Sequence, residues 1–289
     1  MHKYLISADI EGITGVANRE FSSSRGRYYA LGCRYMTSDV NAVIGGILAA
    51  DPEAEIIVRD AHGSAAANLS LETLHQRAHL IQGWDAVQNM LTGLDEDFTA
   101  VLLVGYHVGG DNLTAGLGHT MHPIIRELKI NGQKVNETGL FAFYAGYFGV
   151  PVIFVSGDEA AVSEAKEQLG DDLIGISVKK SFGRSCAESY SLNQSAELLK
   201  TGAERAIMQQ LSNPRPAFTV KAPYTFTMGF YDTGIRTSVF QNLVEILSYD
   251  SSYHFDVAAH EISFTQGELP VVMHQLSAIL YMIYGMYGG

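Results

Sequence analysis

Val101-Leu102-Leu103-Val104-Gly105-Tyr106-His107 is an unbroken aliphatic run that stops in a glycine, a tyrosine and a histidine. A strand solvated on one face alternates apolar and polar residues, whereas a run without alternation is covered on both faces, as in a parallel sheet held between layers. Three further stretches, Tyr4 to Gly12, Glu55 to Gly63 and Pro151 to Asp158, join an aliphatic or β-branched core to polar residues and glycine in the same way. Helices are predicted between them: Thr37 to Ala50, introduced by the cap-like Thr37-Ser38-Asp39; Thr138 to Phe148; and Asp158 to Leu169, with acids early. This β-α-β alternation makes roughly the first 190 residues an α/β unit, a mainly parallel central sheet flanked by helices.

Leu128 to Val135 places Asn131-Gly132 between alternating apolar positions, the pattern of a type I′ hairpin inserted into that unit. A helical stretch, Ser195 to Leu211, is followed by Asn213-Pro214-Arg215-Pro216, where two prolines disfavour helix, and by Ala217 to Phe230, which reads as strands. The expected division is a catalytic, metal-binding α/β portion over 1–212 and a smaller α+β portion over 213–289, suited to oligomerisation.

Composition narrows the function classes. With 289 residues, 47% hydrophobic and 17% charged, the chain can bury a sizeable core and is not a disordered tail. The formal charge of −12 and the absence of a Lys/Arg cluster make nucleic acid and anionic membrane poor partners. Cys33 and Cys186 lie far apart and form no C-x-x-C, which is read as a reduced, cytoplasmic protein. The N-terminus meets Asp9 after too few apolar residues for an export signal. The apolar stretch Leu269 to Tyr287 is broken by His274, Gln275 and Ser277 and is read as a buried helix rather than a membrane anchor.

Ligand sites of open α/β sheets lie outside the carboxyl ends of the strands. The first strand ends in Asp9 and Glu11, an i, i+2 pair on one face roughly 6.6 Å apart along the chain. The second ends in Asp60-Ala61-His62 and the third in Gly105-Tyr106-His107, so one rim receives Asp, Glu, His and His. Two carboxylates held together at a partly desolvated rim repel unless a cation lies between them. Mixed oxygen and imidazole donors without thiolate suit zinc or manganese in a catalytic site. Asp60 either orients His62 or caps the following loop. Gly118-His119 lies in a loop that lets a ring approach a substrate, which suits an acid/base or oxyanion role, a metal ligand being the alternative. Glu137 is either an N-terminal helix acid or, pointing inward, the fifth donor of a set large enough for two metals. The other histidines, His2, His75, His79, His254, His260 and His274, show no such placement.

These motifs in this order resemble those of the D-aminopeptidase family of dinuclear zinc exopeptidases. Ser7-Ala8-Asp9-Ile10-Glu11-Gly12 matches its S-x-D-x-E-G, Asp60-Ala61-His62 its D-x-H and Gly105-Tyr106-His107 its G-Y-H. Gly118-His119-Thr120-Met121 resembles its histidine segment and Glu137-Thr138-Gly139 its glutamate before a helix, with Asn136 standing where glycine is expected. The resemblance spans roughly residues 3 to 185. It implies two zinc ions sharing Asp9, with Glu11 and His62 completing one site and His107 and Glu137 the other. It also implies His119 as the catalytic residue, short peptides with an N-terminal D-residue as substrates, and a ring of ten subunits. Two rival readings are weighed against it. A dinuclear metallophosphoesterase would share the D-x-H and G-H echoes, but the G-N-H-[DE] element is missing and the order differs. A non-catalytic, metal-stabilised assembly protein would use the same ligands structurally, although closed structural zinc sites are usually rich in thiolate.

Overall fold

A computed structural model describes residues 1–63, 66–85 and 87–287. Seven strands form the first sheet: β1 (Lys3–Ala8), β2 (Glu55–Asp60), β3 (Ala78–Ile81), β4 (Ala100–Tyr106), β7 (Val152–Asp158), β8 (Ile174–Ser181) and β9 (Ala187–Ser189). Their order is β3-β2-β1-β4-β7-β8-β9, parallel except for the final β8–β9 pair. The four expected runs are four of these strands. Side chains alternate between two cores, as a strand period of two dictates. Tyr4, Ile6, Val58, Leu102 and Val104 enter one cluster, while Leu5, Ile57, Val101 and Leu103 enter the other. Unbroken apolar sequence is thus the signature of two buried faces.

The first core lies under α2 (Tyr29–Ala50) and α5 (Leu192–Ser212), which pack on each other. The helix expected from Thr37 begins eight residues earlier, at Tyr29. Thr37 is no cap: it lies mid-helix, its Oγ1 donating to the Cys33 carbonyl at 2.9 Å. The second core lies under α3 (Glu137–Tyr147) and a five-stranded antiparallel sheet built from β5 (Ile125–Ile130), β6 (Gln133–Val135), β10 (Tyr224–Phe230), β11 (Tyr253–Asp256) and β12 (Glu261–Gln266). The order is β11-β12-β10-β5-β6, so strands from both sides of residue 213 build this sheet. The β5–β6 turn is Asn131-Gly132, with φ of 51° and 79°, as the I′ turn requires. Only Tyr224–Phe230 of the stretch expected to be strands is one; irregular chain and a cis Ala222-Pro223 bond precede it.

Three more long helices follow: α4 (Glu159–Leu169), capped by Asp158, α6 (Ile235–Leu247) and α7 (Leu269–Tyr287). A four-residue turn of helix, α1 (Arg19–Ser22), precedes α2. By length and composition α7 could cross a membrane, yet its Leu269, Val272, Met273, Leu276, Ile279 and Ile283 are buried in the second core, against β10, β12 and α6.

Strand order reverses at β1. The chain goes outward to β2 and β3, then returns to the other side of β1 as β4, so the crevice at the carboxyl ends of β1 and β4 is the switch point where α/β sheets bind ligands. The backbones converge there. A Cβ on Gly105, whose φ is +76°, would stand 2.1 Å from the Asp9 carbonyl oxygen, a separation only glycine allows.

Candidate metal centre

Asp9, Glu11, His62, His107, Glu137 and His119 all meet in this crevice. Asp9, Glu11, His107 and Glu137 are nearly fully buried. His62 Nδ1 stands 2.9 Å from Asp9 Oδ1 and 3.6 Å from Glu11 Oε2. His107 Nε2 stands 3.4 Å from Asp9 Oδ2, 3.6 Å from Glu11 Oε2 and 3.6 Å from Glu137 Oε1. His119 Nε2 lies 3.5 Å from Glu11 and 3.9 Å from Glu137, its ring stacked on His107 with centroids 4.2 Å apart. Potential ligand atoms fall into three compact groups: Asp9, Glu11 and His62; Asp9, His107 and Glu137; Glu11, His107 and His119.

The three rings share one arrangement. His62 Nε2 faces the Ser22 carbonyl at 3.1 Å, His107 Nδ1 the Val108 carbonyl at 2.9 Å, and His119 Nδ1 the Leu117 carbonyl at 2.8 Å. A carbonyl only accepts, so each of these nitrogens carries the proton and donates it. The opposite nitrogen of every ring then aims its lone pair at the carboxylates. Without a cation such lone pairs face carboxylate oxygens, and His107 Nε2 and Asp9 Oδ2 are both buried without a hydrogen-bond partner. Protons are drawn into the same gap. Burial disfavours imidazolium, yet Glu11 and the Asp9 hydrogen bond raise the His62 pKa to about 9, and Glu137, Glu11 and Asp9 hold that of His107 well above its ordinary value. Orphaned atoms, tautomers held from behind and an O/N donor set all fit a divalent cation, zinc among them.

Glu137 is the first residue of α3, whose cap Asn136 accepts from Gly139 N at 3.1 Å. Its side chain turns into the crevice, where Oε1 accepts from Met121 N at 2.6 Å, and although burial works against ionisation, His107 and His119 lower its pKa. The loop carrying His119 holds Leu117 and Met121 at φ of 55° and 63°, strain of a kind that gathers at functional sites. Of the two roles open to Asp60, it takes the loop cap: it accepts from the Asn68 and Leu69 amides, and the Ser22 carbonyl holds His62 instead.

Several contributors carry no sequence signal. Lys179 on β8 is fully enclosed, and its ammonium donates to the carbonyls of Glu11 at 2.7 Å, Ile13 at 3.2 Å and Val16, clamping the loop that presents Glu11. Asp39, inside α2, accepts from Thr14 N and Oγ1, both at 2.9 Å. A cavity of about 190 Å³ opens beside the ligands, walled by Trp84, Met90 and Met121 and by Leu280, Tyr281 and Tyr284 from α7. His122 sits edge-on between Tyr284 and Tyr287; burial and the charges of His119, Arg19 and Arg236 push its pKa down to about 4.

The comparisons with known proteins agree. A family model described as D-aminopeptidase matches residues 2–251. A D-aminopeptidase of Bacillus subtilis (strain 168) is 36% identical over 198 residues, 68% of this chain and 70% of the relative. In three dimensions the chain is similar to the "Zn-dependent D-aminopeptidase DppA from Bacillus subtilis, a self-compartmentalizing protease", with a TM-score of 0.88 and 27% identity over 99% of this chain and 98% of that one.

Proposed function

The chain belongs to the D-aminopeptidase family and is a zinc-dependent aminopeptidase, and on that premise we propose the roles of its residues and the nature of its substrate. The substrate is a short peptide or amide with an N-terminal D-residue, the specificity for which the Bacillus relatives are named. Neither a metallophosphoesterase nor a non-catalytic assembly protein is favoured by these relatives. Two zinc ions would be held here, one by Asp9, Glu11 and His62, the other by Asp9, His107 and Glu137. The observation that carries this reading is the pair of ligand groups with Asp9 in common, in which His107 Nε2 and Asp9 Oδ2 are buried without a hydrogen-bond partner.

When bound, zinc supplies Lewis acidity, polarising the scissile carbonyl and drawing the pKa of water toward about 7. The rest falls to the protein. The buried carboxylates give the crevice the negative charge that favours the substrate's ammonium end, and the walls formed by Trp84, Met90 and α7 take its side chain and exclude water. His119 is partly exposed, its Nδ1–H tied to Leu117, so its Nε2 is oriented to pass a proton to the leaving nitrogen as general acid/base. Its ring stacks on His107, which holds that nitrogen beside the carboxylates.

The protein is further proposed to be cytoplasmic, in keeping with its two unpaired cysteines, and to assemble into a ring of ten. Large apolar side chains exposed on α6, α7 and nearby loops, Ile235, Ile246, Tyr249, Val257 and Val271, support assembly. The test of the site is metal content by plasma mass spectrometry together with amine release from D- and L-alanyl substrates. His119→Ala is expected to lower kcat by about 10²- to 10⁴-fold with zinc retained, and Asp9→Ala to lose zinc. A His119→Ala enzyme of wild-type kcat would refute its role.

A further inference from the structure

His119 lies between two openings. On one side is the cavity with the ligand cluster; on the other, a groove of about 410 Å³ runs past Gly118 and His119 and is lined by Arg19 and Arg184. In a chain of net charge −12, two guanidinium groups on one groove beside the catalytic histidine are a local reversal of sign. Among the described residues no carboxylate lies within ion-pair distance of either guanidinium. The groove also holds one acid, Glu20, whose Oε2 accepts from the Arg27 amide at 3.0 Å and which keeps its charge, so the two guanidinium groups outnumber it. Arg184 is fastened to the loop of His119 from both ends: Nη2 donates to the Gly118 carbonyl at 3.0 Å, and its own carbonyl accepts from Leu117 N at 3.2 Å. That commits one of its five N–H donors and leaves the fork available to a ligand.

A short peptide has opposite charges at its ends. If its ammonium end enters the acidic cavity, the chain beyond the scissile bond leaves past His119 into the groove. In a dipeptide or tripeptide the terminal carboxylate then lies one or two residues further, at about 3.8 Å per Cα step. A planar guanidinium is the side chain best matched to a carboxylate. We propose that Arg184, together with Arg19, binds the free C-terminal carboxylate of the substrate, so that the enzyme selects di- and tripeptides over blocked or longer chains. This rests on the aminopeptidase reading.

The test compares kcat/KM of the zinc-loaded enzyme for D-alanyl-D-alanine and for its C-terminal amide. The free acid is expected to be preferred by about tenfold or more, as for loss of a charge-assisted hydrogen bond. In Arg184→Gln, Arg19→Gln and the double variant that preference should fall stepwise toward one, chiefly through a higher KM for the free acid. Among the described residues Arg19, unlike Arg184, has no hydrogen bond to the His119 loop, so Arg19→Gln removes charge without removing an anchor of that loop. A wild-type preference below about twofold, or one that the double variant does not move, overturns the inference while continued cleavage of the amide leaves the aminopeptidase reading standing. Cleavage of neither compound would overturn both.

Discussion

Replacing Asp39 by asparagine should change the pH dependence of stability, by an amount that follows from the burial of this carboxyl. Asp39 is wholly enclosed, with Thr14 N and Oγ1 donating to one oxygen and no partner for the other. Burial raises its pKa from 3.8 to about 6, with the Thr14 hydrogen bonds and Lys179 opposing. A carboxyl whose folded pKa is raised favours the native state most below the unfolded value and loses that contribution as pH rises through the folded one. The gap between 3.8 and about 6, at about 1.36 kcal/mol per pH unit, amounts to about 3 kcal/mol. A carboxamide in its place cannot titrate. The stability of Asp39→Asn minus that of wild type should therefore be about 3 kcal/mol more favourable at pH 7.5 than at pH 3.5. Any constant cost of burying the new amide cancels in that difference, as does the loss of zinc in acid, which both proteins share. Denaturant unfolding across this range provides the measurement. A difference between the two proteins that stays flat with pH would refute the argument and place Asp39 in a more solvated setting than the structure gives it.

Two further outcomes test the support of the site. Lys179→Met leaves three buried carbonyls without their donor; at about 1–3 kcal/mol each it should destabilise markedly, and zinc affinity, read by chelator competition, should fall about 10- to 100-fold. Wild-type affinity in a folded Lys179→Met protein would mean that the Glu11 loop needs no clamp. Gly105→Ala puts a methyl against the Asp9 carbonyl and forces φ of +76° on an L-residue, which costs about 1–2 kcal/mol before the clash is counted; lower Tm and reduced zinc content are expected, and unchanged values would contradict the close approach of β1 and β4.

The ligands and the sheet were legible in the sequence for the same reason. Strands buried on both faces are mostly apolar, so the cluster of polar residues that ends each run marks the rim, and Asp9, Glu11, His62 and His107 belong to these clusters. Glu137 and His119 are not strand-end residues; their own sequence context leaves two roles open for each, and the order of the family's motifs chooses between them. What escaped lacks a local signature. β3, with the sequence Ala78-His79-Leu80-Ile81, is a short edge strand whose one neighbour supplies its order. The start of α2 has no side-chain cap at Tyr28, whereas Thr37-Ser38-Asp39 mimics one in mid-helix because Asp39 is needed inside to hold Thr14. Lys179 is one lysine on an ordinary-looking strand, and its three acceptors lie more than 160 residues earlier. The cavity wall pairs the ligand loops with a helix read correctly as buried, but periodicity does not say against what.

That wall has a consequence for the order in which the protein is made. Every proposed ligand lies between Asp9 and Glu137, while Leu280, Tyr281 and Tyr284 belong to the last helix of the described chain. A ribosome releases the metal donors first and the surface that encloses them more than a hundred residues later. A nascent or C-terminally clipped chain would thus offer acids and imidazoles to any passing cation while lacking the chamber that chooses a substrate. Selectivity arrives only once α7 has been made.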